Sequence, residues 1–170
     1  MAPALSRPDL LAGPVAAALR GWPRADEVQV AEIDPELADT AAFCAAYEVP
    51  LDRSANCVVV AGKREGQVRF AACVVLATTR ADVNGMVRRL LDVRKASFAA
   101  MDLAVAETGM AYGGITPIGL PRGWPVFVDA AVAAAPEVII GSGIRGSKLA
   151  LPGKALVEVP GGRPVEGLGS

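Results

Sequence analysis

Apolar and polar positions alternate over residues 28–33, reading V-Q-V-A-E-I, which predicts a strand. Two β-branched runs, residues 57–61 and 68–77, flank the segment GKREGQ and predict a hairpin with Gly62 and Gly66 in its turn. Val83, Met86, Val87, Leu90 and Leu91 then recur at helical spacing, behind a candidate cap at Asp82. Shorter helices are predicted over residues 8–20, restarting at Pro14, over the alanine-rich residues 38–47, and over residues 99–108, ending at Gly109. Asp34 or Asp39 can cap the second of these, and Val49-Pro50 closes it. Downstream, residues 126–128 form a short strand closing on Asp129, and residues 130–135 a helical turn. Residues 138–140 and 148–151 are further strands, and the glycine-rich tail from Gly161 adds an edge strand around Val165. Strands and helices are mixed rather than strictly alternating. The expectation is α+β: a single domain over residues 1–170, with a mixed or antiparallel, barrel-like sheet and helices packed around it. No internal repeat and no linker is apparent.

Composition narrows the function. The chain of 170 residues is 52% hydrophobic and 21% charged, which is globular and not disordered. Its longest apolar run, residues 70–77, is far short of the roughly 20 residues that span a bilayer, so no membrane partner is expected. The N-terminus lacks a basic region followed by an apolar core, so no secretory signal is expected. Cys44, Cys57 and Cys73 are widely spaced and form no C-x-x-C pair, which suits reduced core thiols in a cytoplasmic protein. Histidine is absent, which excludes a Ser-His-Asp triad, a Cys-His dyad and a histidine metal ligand. No metal site and no nucleotide cofactor is expected. A net charge of −1 argues against a non-specific binder of DNA, leaving room for a local basic patch. Arg88, Arg89, Arg94 and Lys95 form one at the end of the predicted Val83–Leu91 stripe, where cations also suit the helix dipole.

Two glycine-rich loops carry the candidate chemistry. The first spans residues 109–121 and contains Gly113, Gly114, Ile115, Thr116 and Pro117. The second, GSGIRG, contains Gly141, Ser142 and Gly143. Glycines let a ligand reach backbone N–H groups, which can bind an anion or stabilise an oxyanion; two ordinary loops would look the same. GSGIRG matches G-x-G-x-x-G in letters only, since it neither follows the first strand nor opens a long helix.

The combined order of four segments is the specific signal. They are IDPELADTAAFCAAYEVPLDRSANCVVV (33–60), RKASFAAMDLAVAETGMAYGGITPIGL (94–120), VFVDAAV (126–132) and VIIGSGIRGSKLAL (138–151). Together they resemble the YbaK/ProX-like prolyl-tRNA-editing family of aminoacyl-tRNA deacylases, over residues 28–168 or so. The resemblance implies a free-standing, trans-editing enzyme that hydrolyses the ester joining a mischarged small amino acid to tRNA. It makes the aminoacyl-tRNA acceptor end the partner, with a synthetase or an elongation factor as a further one. It implies no metal, and a pocket walled by the Gly-x-x-x-Pro loop. Residues 94–99 resemble the start of the family's Lys-x-Ser-x-Ala helix, and Ser97 could cap the helix that follows it. The family usually carries a Lys-Thr pair where this chain has Asn56 and Cys57, and often an acid where it has Lys148. The candidate catalytic groups are therefore Gly113, Gly114, Asn56 and Lys148; Lys148, where the chain departs from the family, would supply the displaced cation from the opposite wall or would be a solvated strand residue. Ile115, Thr116, Pro117, Asp129, Gly141, Ser142, Gly143 and Thr40 would bind substrate, and Arg88, Arg89, Arg94 and Lys95 the tRNA phosphates. Asp129 could instead pin the loop, and Thr40 could simply start its helix. The alternative is a family member that binds charged tRNA, or an aminoacyl-like small molecule, without turnover.

Overall fold

The computed structural model describes residues 1–170, and its first regular element is a two-residue strand, β1 (Ala2–Pro3). Helix α1 (Gly13–Arg20) carries Pro14 in its first turn, where the missing N–H and fixed φ suit it. Strand β2 (Gln29–Glu32) follows as the alternation predicts. Asp34 caps a short 3₁₀ turn by accepting from the Glu36 N–H at 3.0 Å. Helix α2 (Thr40–Tyr47) starts after Asp39, whose carboxylate makes no capping hydrogen bond. The hairpin is longer than predicted, with β3 (Ala55–Arg64) pairing antiparallel to β4 (Gln67–Leu76). Its turn is only Glu65-Gly66, both at positive φ, the geometry of a two-residue type I′ turn.

Gly62 therefore lies inside β3 and not in the turn. Its role is close approach: a Cβ there would sit 2.8 Å from the Lys95 carbonyl oxygen. That space admits β5 (Ala96–Phe98), which pairs Val60 with Phe98 and Gly62 with Ala96. Residues 96–98 are thus extended, and Ser97 is a strand residue rather than a cap. Before them, Asp82 accepts from the Gly85 and Met86 N–H groups at 3.1 Å and starts a π-helical turn that leads into α3 (Arg88–Leu91). Helix α4 (Met101–Thr108) ends at Gly109 in the left-handed region. Then come β6 (Val126–Asp129), α5 (Ala130–Ala133), β7 (Val138–Gly141), β8 (Ser147–Leu151) and β9 (Gly162–Val165).

The strands form two sheets, ordered β1-β2-β8-β7 and β5-β3-β4-β6-β9. The first is antiparallel; in the second, β6 runs parallel to both β4 and β9. A bridge between Ser54 and Ile139 links them, but they do not close into one barrel, which corrects the barrel-like expectation. The larger core lies between the sheets, where Val30, Leu149 and Ile140 meet Ala72, Val74 and Val128 beneath α1. A second core covers the outer face of the five-stranded sheet, with Ala71, Cys73, Val75 and Phe127 under Val83, Val87 and Leu91. Residues 71–75 of β4 are buried on both faces, which is why this part of the strand reads as one unbroken apolar run. The result is one α+β domain.

Candidate functional site

A cavity of about 260 Å³ opens where the first residues of α2 and β3 meet β8 and the first glycine loop. Its floor is apolar and small, with Ala55, Val59, Ala104 and Ile115 among the lining side chains. Its polar groups are few: Asp39, Thr40, Asn56 and Lys148, together with the backbone at Gly113.

Each is set by its element. Asn56 is the second residue of β3, and its side-chain oxygen accepts from the Thr40 hydroxyl at 2.6 Å. Thr40 is thereby held in the site by a specific partner, beyond its place at the start of α2. Lys148 belongs to β8, registered between Ala31 and Gly141. Its residue is only 7% exposed, and no carboxylate lies within salt-bridge distance. Its ammonium donates to the Ala38 carbonyl at 2.9 Å and lies 5.2 Å from the centre of the Phe43 ring. Burial lowers its pKa below the usual lysine value; Cys44 and Asp39 oppose the shift, and Arg145 adds to it. An ammonium carries three donors, so two remain for a ligand.

Arg145 is the functional candidate that the sequence did not single out. Its guanidinium donates to the Tyr112 carbonyl at 3.2 Å and lies 3.5 Å from the Asp39 carboxylate. It bridges the two glycine loops and the start of α2 across the cavity mouth. Gly113 adopts φ +90°, and a Cβ there would run into that guanidinium. The Gly113 N–H makes no hydrogen bond within the chain and remains a free donor at the cavity. As the one charged side chain in GSGIRG, Arg145 was visible, but nothing in the sequence showed which way the loop faced.

The loops themselves serve mainly each other. The Gly143 N–H donates to the Gly114 carbonyl at 2.7 Å, and the Gly114 N–H donates to the Ala111 carbonyl at 2.9 Å. A Cβ on Gly114 would lie 2.5 Å from the Ile144 carbonyl oxygen, and one on Gly141 2.6 Å from that of Gly114. Gly113, Ile115 and Gly141 thus line the cavity, whereas Gly114, Thr116, Pro117, Ser142 and Gly143 lie outside its lining. The backbone groups of Gly114 are already used internally. Ser142 donates to the Ser147 carbonyl at 3.2 Å in a buried cluster, and Thr116 is fully buried with an unpartnered hydroxyl.

Asp129 is also outside the lining. It ends β6, buried, beside Thr79 and Gly169, where a Cβ on Gly169 would lie 2.8 Å from its carboxylate. It packs against the C-terminal segment, not the glycine loop. Arg88 and Arg89 lie on α3, and Arg94 and Lys95 enter β5, next to the basic residues Lys63, Arg64 and Arg69 of the hairpin end. Only Asp92 offsets them by pairing, at 2.7 Å from Arg64 and 3.6 Å from Arg69. No group of three or more His, Cys, Asp or Glu side chains is placed to hold a metal, and no helix is long and apolar enough to cross a membrane.

Residues 34–159, which include every polar group of the cavity, match the description of the aminoacyl-tRNA editing domain. The chain belongs to the aminoacyl-tRNA editing domain family. Comparison with the curated proteins finds no match. Among solved structures, the editing domain is similar to a candidate trans-editing enzyme for prolyl tRNA synthetase, with a TM-score of 0.75 and 22% identity, covering 91% of this chain and 94% of that one. A hypothetical protein gives a TM-score of 0.78 at 20% identity, covering 92% and 99%. A signal transduction protein of Marinobacter aquaeolei, so described provisionally, contains the same fold within a larger chain, with a TM-score of 0.55, 16% identity and coverage of 92% and 30%. At these identities the likeness is one of fold. Family membership makes aminoacyl-tRNA the partner class of this editing domain.

Proposed function

We propose that this editing domain is a trans-acting deacylase that hydrolyses the ester linking a mischarged small amino acid to tRNA, with Lys148 supplying the positive charge of the site. The carrying observation is the setting of Lys148: a buried ammonium, unpaired with any carboxylate, in a small apolar cavity. Action in trans is supported by the likeness to the candidate trans-editing enzyme, whose length this chain nearly spans.

An aminoacyl ester is already activated, so the site can work by positioning. Water adds to the ester carbonyl carbon, the carbonyl oxygen becomes an oxyanion, and the ribose oxygen leaves with a proton. Lys148 and the free Gly113 N–H are the donors available for the oxyanion. Asn56, oriented by Thr40, offers its amide N–H groups from the β3 wall. The small apolar floor favours short side chains, because a larger one would have to displace packed atoms. A carboxylate at Asp39 suits the amino group of the substrate, with Arg145 holding it at the mouth.

The test is deacylation of tRNAs mischarged with alanine, cysteine or serine, comparing the parent with Lys148→Ala. Turnover of one of them, reduced roughly 100- to 1000-fold in the variant, is the expected result for loss of one oxyanion donor. No turnover from the folded parent on any of the three would overturn the reading. It would favour binding without hydrolysis, with Asn56 in the place of the family's usual lysine as the reason.

A further inference from the structure

Of the eight aromatic side chains, six are accounted for by contacts within the chain. Phe43 packs against Tyr47 in a tilted pair and carries Lys148 over its ring; the Tyr47 hydroxyl accepts from the Asp34 N–H. Phe70 stacks on Trp124 at 4.9 Å, Phe127 lies under Arg163, and the Trp22 indole donates to the Glu158 carbonyl. Phe98 and Tyr112 remain. Neither has a ring, cation or hydrogen-bond partner for its side chain, they are 62% and 51% exposed, and both line the mouth of the same cavity.

Two unpartnered aromatics at one opening are not scattered surface residues. Each is fixed by its backbone. Phe98 ends β5, locked opposite Val60, and the Tyr112 carbonyl is held by Arg145. The surroundings are positive. Arg145 stands at the mouth, and Lys95 and Arg94 lie on the same chain segment as Phe98, three and four residues before it, or roughly 10 to 13 Å along it at strand rise. A flat, apolar face beside a cation suits a nucleobase followed by phosphate. It does not suit an acidic peptide, which would gain nothing from ring faces, or a lipid surface, for which two rings give too little area.

We propose that Phe98 and Tyr112 form a stacking platform for the terminal base of the tRNA acceptor end, placing the aminoacyl group in the cavity behind it. The inference rests on the proposed deacylase reading for its ligand. Stacking requires no base-specific hydrogen bond, so it supplies affinity and position while the cavity discriminates the amino acid.

The experiment uses the full chain and an uncharged RNA hairpin whose single-stranded 3′ end carries 2-aminopurine as its last base. Binding is expected to quench the fluorescence of that base. Phe98→Ala and Tyr112→Ala should each abolish most of the quenching and weaken binding roughly 5- to 150-fold, the range for one lost base stack. Phe98→Leu, which keeps apolar bulk without a ring face, should lose the quenching too. RNA that binds without quenching, quenching that survives in both alanine variants, or no binding by the parent overturns the proposal. Both rings are exposed, so folding is expected to survive, checked by circular dichroism. The readout needs no turnover. A protein that quenches the base but hydrolyses no charged tRNA would refute the deacylase reading and leave the platform standing, and hydrolysis without quenching would do the reverse.

Discussion

Lys148 is under electrostatic tension, since burial disfavours its charged form and only a carbonyl and a ring face answer it directly. Its folded-state pKa lies below that of the unfolded chain, so the unfolded chain binds more protons between those two values. Stability contributed by this group therefore rises with pH in that window and is lowest below it. Lys148→Met keeps the stem and removes the charge. It is expected to be more stable than the parent at neutral pH, with the margin narrowing as pH climbs towards the ordinary lysine range. Urea unfolding at a series of pH values measures this, and a margin that stays constant would show that Lys148 is not under desolvation strain. Activity should follow the opposite sign. If the ammonium stabilises the oxyanion, kcat falls as pH rises through the lowered pKa, at a lower pH than an exposed lysine would give.

At the level of elements, the glycine loops show why a motif is not a site. Gly114 looked like a residue that opens its backbone to a ligand. In the fold it lets residues 109–121 approach residues 141–146 closely enough for backbone-to-backbone bonding. A methyl there meets the Ile144 backbone, which has no side-chain freedom with which to yield. Gly114→Ala is expected to cost roughly 1–3 kcal/mol of stability, the usual range for overpacking, read from the shift in urea midpoint. It should reduce activity through displacement of Gly113 and Arg145 and not by filling the cavity. An unchanged midpoint would place the close approach elsewhere. The same contrast explains what was legible beforehand. Strands β2, β3 and β4 could be read because burial imposes alternation or a continuous apolar run on them. Strand β5 could not, because it is three residues long, sits at an edge, and owes its place to the missing side chain at Gly62. Resemblance pointed to Asn56 and Lys148, and the fold brings them to one cavity although they are distant in sequence. Asp129 and Ser142 seemed comparable, yet their strand and loop turn them into packing. Which face a loop residue presents is decided by tertiary contacts that no local pattern encodes.

Across the whole molecule, charge is distributed so that a nearly neutral chain can still meet an anion at one place. Net charge is −1, yet the end of the β3–β4 hairpin and the approach to β5 gather Lys63, Arg64, Arg69, Arg88, Arg89, Arg94 and Lys95 around a single paired acid, Asp92. Arg64 and Arg69 are partly neutralised by that acid, whereas Arg94 and Lys95 form no salt bridge and lie nearest the cavity along β5. A tRNA whose end enters the cavity would run its next phosphates over Arg94 and Lys95 first. Each phosphate contact on a single strand steepens the logarithmic salt dependence of binding by about 0.7. Arg94→Ala and Lys95→Ala should therefore each weaken RNA binding and flatten the plot of log affinity against log salt by about that amount, whatever the RNA sequence. Arg88→Ala, farther round on α3 and donating to the Asn84 carbonyl, should change the slope less. Equal slopes for the parent and all three variants would remove this edge from the path of the RNA and direct it to another side of the cavity. The same plot separates the two components of recognition. Loss of a ring at the mouth lowers affinity at every salt concentration without changing the slope, whereas loss of a cation on the track changes the slope itself.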